Sequence, residues 1–333
     1  MKPRVAINGF GRIGRAFLRA NLMADLVEIV AINDTSPNKE LAYLLKNDSI
    51  YGPCKVDVEA VGETAIKIDG IEIPTYSDRN PENLPWGTLN VDIVIESTGV
   101  FRDREGSEKH IRAGAKRVIV SAPGKDLDRT IVLGVNEGSL NKETDKMISN
   151  ASCTTNCLAP IVKVLNDKFG IVKGLMTTIH SYTNDQNLMD NSHPDLRRAR
   201  AATLNMIPTS TGAAKAIGEV IPDLQGKLNG LSVRVPTPTV SLVDLVCEVK
   251  AQVTANDVNA ALREASENGM RGIMGFCEEP LVSSDFIKDN RSSIIDAEST
   301  MVIEGNMVKV LAWYDNEWGY SVRLVELAAY MTR

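Results

Sequence analysis

The sequence is poor in histidine and has no paired cysteines. It carries three histidines, His110, His180 and His193, in 333 residues. Zinc centres are built from Cys and His at short matched spacings, so this chain offers no histidine-rich metal site. The five cysteines, Cys54, Cys153, Cys157, Cys247 and Cys277, are odd in number and scattered. That pattern excludes a disulfide framework and fits a reducing compartment. Cys153 and Cys157 lack a second Cys or His pair, and no metal is expected there. No apolar run approaches the roughly 20 residues that span a bilayer. Met1-Lys-Pro-Arg4 leads straight into Val5-Ala-Ile7, without the apolar core of a signal peptide. A cytoplasmic location is therefore expected. Charge has no dominant sign: 37 basic against 43 acidic residues give −6. Neither nucleic acid nor an anionic membrane is expected as a partner.

What is present begins with a glycine turn. A strand-like Val5-Ala6-Ile7 precedes Gly9-x-Gly11-x-x-Gly14, a helical pattern follows through Phe17, Leu18 and Leu22, and a second apolar strand ends at Asn33-Asp34. Glycines allow a tight turn and close approach of backbone to a pyrophosphate. The helix N-terminus favours its charge, and an acid about 20 residues on can accept from a ribose hydroxyl. Strand, turn, helix, strand and Asp34 stand in the order that dinucleotide binding needs. Further β-rich pieces at 56–61, 65–73, 91–95 and 116–120 predict a doubly wound parallel sheet. Strand ends at Thr98-Gly99 and Ser121-Ala122 belong at its carboxyl edge, where ligands bind.

The pattern changes after residue 150. Long strand candidates at 171–180, 228–236, 241–250 and 307–314 predict a mixed or antiparallel sheet. Helices are expected over about 255–268 and 317–331. Leu158, Ile161, Val162 and Leu165 mark another helix, in which Pro160 predicts a kink or an early break. Residues 181–204 are polar, carry Arg197-Arg-Ala-Arg200 and show no periodicity, as a long ordered loop does. The reading is two domains, 1–152 and 153–316, with a final helical segment at 317–333.

Ala151-Ser-Cys-Thr-Thr-Asn-Cys157 places Cys153 just before a helical run. A helix N-terminus favours a thiolate, which makes Cys153 the candidate nucleophile. His180 ends an apolar strand and is the candidate base. Cys157, one turn further on, reads as packing. Arg234 interrupts the apolar run Leu231–Val235 and calls for an anionic partner. Pro208-Thr-Ser-Thr-Gly212 reads as a hydroxyl- and amide-rich anion cradle.

Seven motifs together resemble the phosphorylating glyceraldehyde-3-phosphate dehydrogenases, from first strand to last helix. They are Ile-Asn-Gly-Phe-Gly-Arg-Ile-Gly-Arg (7–15), Ala-Ser-Cys-Thr-Thr-Asn-Cys-Leu-Ala-Pro (151–160), His-Ser-Tyr-Thr-Asn-Asp-Gln (180–186), Asp-Leu-Arg-Arg-Ala-Arg-Ala-Ala (195–202), Pro-Thr-Ser-Thr-Gly-Ala-Ala-Lys-Ala (208–216), Arg-Val-Pro-Thr-Pro (234–238) and Trp-Tyr-Asp-Asn-Glu-Trp-Gly-Tyr-Ser (313–321). The resemblance implies a Rossmann-type domain plus an α+β catalytic domain, with the last helix packing back on the first domain. It implies Cys153 as nucleophile and His180 as acid–base group. Thr183 and Arg234 would hold a substrate's C3 phosphate, with Arg198 near both anion sites. Ser152, Thr154, Thr211 and Gly212 would bind inorganic phosphate. Arg12, Ile13, Asp34, Arg79, Thr98, Ser121 and Asn316 would contact NAD or NADP, Asn316 at the nicotinamide carboxamide. A homotetramer acting on glyceraldehyde 3-phosphate is implied.

Two positions depart from the NAD-specific pattern. Thr35 follows Asp34, and the loop reads Asn191-Ser192-His193. Thr and Ser there resemble the NADP-accepting plastid and cyanobacterial type, so dual coenzyme use is expected. Two alternatives stay open at this level: dehydrogenation of erythrose 4-phosphate, and a redox-regulated dinucleotide-binding sensor.

Overall fold

The computed structural model describes residues 1–332 as two compact units. The first comprises Met1–Ile131, Gly138–Ala151 and the chain from Ser321 onward; the second comprises Val132–Glu137 and Ser152–Tyr320.

The first unit is built on nine strands: β1 Arg4–Asn8, β2 Glu28–Asn33, β3 Val58–Val61, β4 Ala65–Ile68, β5 Ile71–Tyr76, β6 Ile93–Glu96, β7 Arg117–Val120, β8 Arg129–Thr130 and β9 Met147–Ser149. Its helices are α1 Arg12–Ala24, α2 Asn38–Lys46 and α3 Arg104–Arg112. The sheet order is β3-β4-β5-β2-β1-β6-β7-β9-β8. Val5, Ala6 and Ile7 of β1 and Ile93, Val94 and Ile95 of β6 are buried, as central parallel strands require. β1 pairs in parallel with β2 on one side and β6 on the other, so the strand order reverses there. That reversal opens a crevice at the carboxyl ends of β1 and β6.

The expected strand at 65–73 is a hairpin instead. Asp69 and Gly70 both take positive φ, 50° and 79°, and turn β4 into an antiparallel partner of β5. Two adjacent left-handed residues make the tight turn whose twist suits a hairpin. The sheet is therefore parallel at its centre and antiparallel at this edge.

The second unit holds a seven-stranded mixed sheet in the order β11-β12-β10-β13-β16-β15-β14. Its strands are β10 Ile171–Ser181, β11 Ile207–Ser210, β12 Leu228–Val235, β13 Ser241–Val249, β14 Met274–Cys277, β15 Ser293–Ile303 and β16 Met307–Tyr314. Helices α4 Cys153–Phe169, α5 Ala213–Val220 and α6 Ala255–Glu267 pack on it, and α7 is Trp318–Tyr330. In β10, Met176, Thr178 and His180 are buried while Lys173 and Leu175 are exposed, the period-2 alternation of a one-sided sheet. No break occurs at Pro160, which sits inside an unbroken α4. The helix continues because Leu158, Ile161, Val162 and Leu165 are fully buried, and this packing outweighs the local cost of proline.

Candidate active site

The crevice of the first unit is a cleft of about 470 Å³, lined by Asn8, Gly9, Gly11, Asp34, Thr35, Arg79 and Thr98 among others. Gly9 has φ +91°, and a Cβ on it would lie 2.6 Å from the Thr98 nitrogen. A Cβ on Gly14 would lie 2.2 Å from the Gly9 carbonyl, so the turn and the helix close on each other. A Cβ on Gly11 would meet nothing within 4 Å. Gly11 thus presents bare backbone to the cleft, and it starts α1 without a side-chain cap. That is the surface a pyrophosphate needs. The Asp34 carboxylate is anchored by Phe10 N–H (2.7 Å) and Ser36 N–H (2.9 Å). These features fit a dinucleotide.

The remaining first-unit residues of the expected coenzyme set are placed as follows. Arg12 is paired with Asp48 at 2.6 Å and lies over the Tyr51 ring, and Ile13 is half-buried beside it. Ser121 extends β7, its N–H donating to the Glu96 carbonyl. Thr98 donates its N–H to buried Glu96 (2.8 Å), which also accepts from Asn8. His110 lies against the same carboxylate at 3.0 Å and accepts the Trp86 indole N–H (3.0 Å). That gives His110 a structural place.

In the second unit Cys153 is the first residue of α4. Ser152 caps this helix, its Oγ accepting from Thr155 N–H at 3.0 Å. β10 carries His180 on its helix-facing side, and Cys153 Sγ lies 3.5 Å from His180 Nε2. His180 Nδ1 is 2.7 Å from the Ser181 carbonyl. Arg234 Nη1 also lies 3.0 Å from Nδ1; in the tautomer with N–H at Nδ1 the ring and Arg234 both donate to the Ser181 carbonyl, and Nε2 is left to accept the thiol proton. Burial pushes the Cys153 thiol up from its ordinary value, while the Arg234 guanidinium and neighbouring hydrogen bonds pull it down. Burial and then Arg234 lower His180 to about 3. Each group taken alone is held neutral. A thiolate beside an imidazolium at this separation recovers on the order of 5 kcal/mol of attraction at an effective dielectric of 20. That attraction offsets part of the cost of moving the proton from Cys153 to His180, and the pair rests as neutral thiol and neutral imidazole. Burial opposes the thiolate that the helix end favours: the end is there, but the thiol is raised from its ordinary value.

Arg234, in β12, faces His180 in register. Its Nη1 donates to the Ser181 carbonyl (3.1 Å) and contacts Thr183 Oγ1 (3.4 Å). Its Nε is buried without a hydrogen-bond partner. A buried guanidinium with an unused donor suits an anion. Arg198 instead pairs with Asp185 and donates to Thr209 Oγ1 (3.0 Å). Thr211 accepts from Ala213 N–H (3.2 Å), and Gly212 precedes α5 with no side-chain cap. Thr154 is buried, with Oγ1 2.8 Å from Tyr314 OH. Ser192 is exposed in the loop that links β10 to β11, and its N–H donates to Asn191 Oδ1. Asn316 is buried and accepts from Ser241 Oγ at 3.0 Å.

Three contributors were not read from the sequence. Tyr314 bridges Thr154 and Thr178 at 2.8 Å each and packs edge-on to His180. Ser181 donates its Oγ to the Val240 carbonyl (2.8 Å), and Ser241 accepts Ser181 N–H (3.1 Å). Val240 has φ +65°, a left-handed conformation that costs a β-branched residue about 1–3 kcal/mol. Tyr314 lies inside the 313–321 motif, so a signal for it existed.

Comparison with known proteins agrees with this geometry. Residues 3–104 match the family model for the NAD binding domain of glyceraldehyde 3-phosphate dehydrogenase, and residues 152–316 match the model for its C-terminal domain. The chain is 59% identical to chloroplastic glyceraldehyde-3-phosphate dehydrogenase A of Zea mays, over 98% of this chain and 82% of that protein. It is 56% identical to the glyceraldehyde-3-phosphate dehydrogenase of Geobacillus stearothermophilus, over 99% of this chain and 98% of that one. It is 57% identical to glyceraldehyde-3-phosphate dehydrogenase 2 of Trichormus variabilis, over 98% and 97%. With a cysteine–histidine pair in one unit and a dinucleotide cleft in the other, this chain belongs to the glyceraldehyde-3-phosphate dehydrogenase family of NAD(P)-dependent oxidoreductases.

Proposed function

We propose that the protein catalyses the reversible phosphorylating oxidation of D-glyceraldehyde 3-phosphate to 1,3-bisphosphoglycerate. The observation that carries this reading is the Cys153–His180 pair at 3.5 Å beside Arg234, whose Nε is buried and unpartnered. Cys153 Sγ gives its proton to His180 Nε2 and attacks the aldehyde carbon. The imidazolium returns a proton to the oxyanion, which yields a hemithioacetal. His180 then takes the hydroxyl proton as the hydride departs, leaving a thioester on Cys153. NAD(P)+, when bound, supplies the hydride acceptor. Inorganic phosphate attacks the thioester carbon, the C–S bond breaks, and Cys153 leaves as a thiolate with an acyl phosphate as product. Covalent catalysis divides one hard step into two. Arg234 and Thr183 hold the C3 phosphate. Ser152, Thr154, Thr211 and Gly212 serve the attacking phosphate, with Arg198 close to both anions.

The coenzyme reading is dual. Thr35 and Arg79 line the cleft with Asp34 and give it donors for a 2′-phosphate, while the Asp34 carboxylate favours a free 2′-hydroxyl. Ser192, in the loop, is the other hydroxyl in which the chain resembles the NADP-accepting type. A cytoplasmic homotetramer completes the proposal.

Initial rates with glyceraldehyde 3-phosphate, with and without inorganic phosphate and with either coenzyme, test it. Phosphate-dependent reduction of both is expected. A preference for NAD above about a thousandfold, roughly 4 kcal/mol, removes dual use. Phosphate-independent turnover removes the acyl-phosphate route and moves the reading to another aldehyde, such as erythrose 4-phosphate.

A further inference from the structure

We propose that Asn268 is a site of spontaneous covalent modification, at which the side chain closes on the Gly269 nitrogen and ages to aspartate and isoaspartate. The chain holds two other Asn-Gly pairs, Asn8-Gly9 and Asn229-Gly230, and the fold keeps both from the same reaction.

The step is an intramolecular acyl transfer. The Gly269 nitrogen attacks Asn268 Cγ, the Cγ–Nδ2 bond breaks, and ammonia leaves with the proton of the Gly269 N–H. Water then adds to either carbonyl of the five-membered imide. Opening on one side gives aspartate; opening on the other gives isoaspartate, with an extra CH2 in the backbone. No oxidant or reductant takes part. Closure needs a following nitrogen turned to the side of Cβ, free of hydrogen bonds and unhindered, which is why glycine suits that position.

Asn268 ends α6 with φ −117° and ψ −100°. On a tetrahedral Cα this ψ brings the Gly269 nitrogen nearly into eclipse with Cβ about the Cα–C bond, as the ring requires. Both residues are exposed. Gly269 N–H meets no acceptor among the described residues, and a Cβ built on Gly269 would touch nothing within 4 Å. One bond must be released, from Asn268 Nδ2 to the Glu264 carbonyl at 2.9 Å, and it is exposed, where water replaces it.

The other pairs lack this arrangement. Asn8 is buried at the end of β1, and Gly9 N–H is spent on the Asn33 carbonyl at 2.8 Å. Asn229 is exposed but lies within β12, where it pairs with Leu175 and Gly230 pairs with Met176. Its extended backbone turns the Gly230 nitrogen away from eclipse with Cβ, and rotating it breaks the pairing with β10. Gly230 N–H also points at Asn229 Oδ1 (2.9 Å), so the nitrogen lone pair, perpendicular to that bond, faces away from Cγ. Each event at Asn268 adds a negative charge to a chain of net charge −6, at a helix end with no basic residue in its last turn.

Incubation of the whole protein in mildly alkaline buffer, beside a urea-unfolded portion, tests this by peptide mass spectrometry at all three pairs. In the folded protein Asn268 is expected to convert within about threefold of its unfolded rate, and Asn8 and Asn229 about tenfold or more below theirs. The product at 268 is expected to contain isoaspartate, read by an isoaspartyl carboxyl methyltransferase with labelled S-adenosylmethionine. Gly269→Ala is expected to slow conversion about tenfold or more, because the methyl hinders the nitrogen and narrows its backbone freedom. Three results overturn the proposal: Asn268 protected about tenfold or more by folding, Asn229 converting as fast as Asn268 in the folded protein, or aspartate without isoaspartate at 268, which is direct hydrolysis.

Discussion

At the scale of single residues, the chemistry depends on where one proton sits. Burial raises Cys153 and lowers His180, and Arg234 lowers both. The thiolate is the costly form of Cys153, and in the proposed reaction its proton passes to His180. Without His180, burial acts on the thiol unopposed by a neighbouring acceptor. The thiol of His180→Asn is expected to titrate above its ordinary value of 9.0. Because the thiolate is the reactive form and a raised value moves its appearance to higher pH, iodoacetamide labelling of Cys153 at pH 7 should slow by about tenfold or more. Labelling rate against pH checks it, and an unchanged rate at neutral pH excludes His180 as the acceptor. Cys153, His180 and Arg234 were legible because each breaks its own local pattern: a thiol before a helix, an imidazole ending a strand, a cation in an apolar run. Ser241 was not, since it sits in an ordinary strand and finds its partners only across the sheet, and the 313–321 motif marked Tyr314 without showing that it bridges Thr154 and Thr178.

At the scale of elements, the glycine turn separates two functions that its motif merges. Gly14 is needed for packing: an added Cβ would strike the Gly9 carbonyl at 2.2 Å. Gly11 is needed for the ligand: an added Cβ enters open space at the cleft. Gly14→Ala is expected to lower stability by about 1–3 kcal/mol through overpacking, despite alanine's better helix propensity. Gly11→Ala is expected to leave the melting temperature unchanged and weaken NAD+ binding by about tenfold or more, since the methyl holds the pyrophosphate away from the backbone. Thermal melts and calorimetry on the two variants check the contrast, and a Gly11→Ala protein with wild-type affinity removes the pyrophosphate from that turn. Element boundaries followed the sequence where one period persisted, as in β10 and β13. The strand at 293–303 was not foreseen, because its pairing with β16 slips between Asp296 and Met301 and breaks the alternation. The hairpin at 65–76 was hidden by the turn Asp69-Gly70, which lies within a continuous β-rich stretch.

At the scale of the whole molecule, the sheet of the second unit has unequal faces. Helices α4, α5 and α6 pack on it, and Met176, Val243, Leu245, Val308 and Val310 are buried. Alternate positions leave Leu175, Leu231, Met301, Ile303 and Met307 exposed, interspersed with the pairs Lys309–Asp244 and Lys173–Glu248. Apolar side chains framed by ion pairs suit a self-complementary contact, and this face supports the homotetramer proposal. In a twofold contact every substitution appears twice, so like charges introduced there confront each other across the axis. The wild type is expected to run in light scattering as four chains of 36.3 kDa. Leu175→Lys combined with Ile303→Lys is expected to run as a smaller species at the same micromolar concentration, with an unchanged circular dichroism spectrum because both positions are exposed in the single chain. A wild-type monomer removes the tetramer. A doubly substituted protein that stays tetrameric moves the contact to another face, with the still more exposed loop residues Leu188, Met189, Leu196 and Leu204 as its apolar candidates.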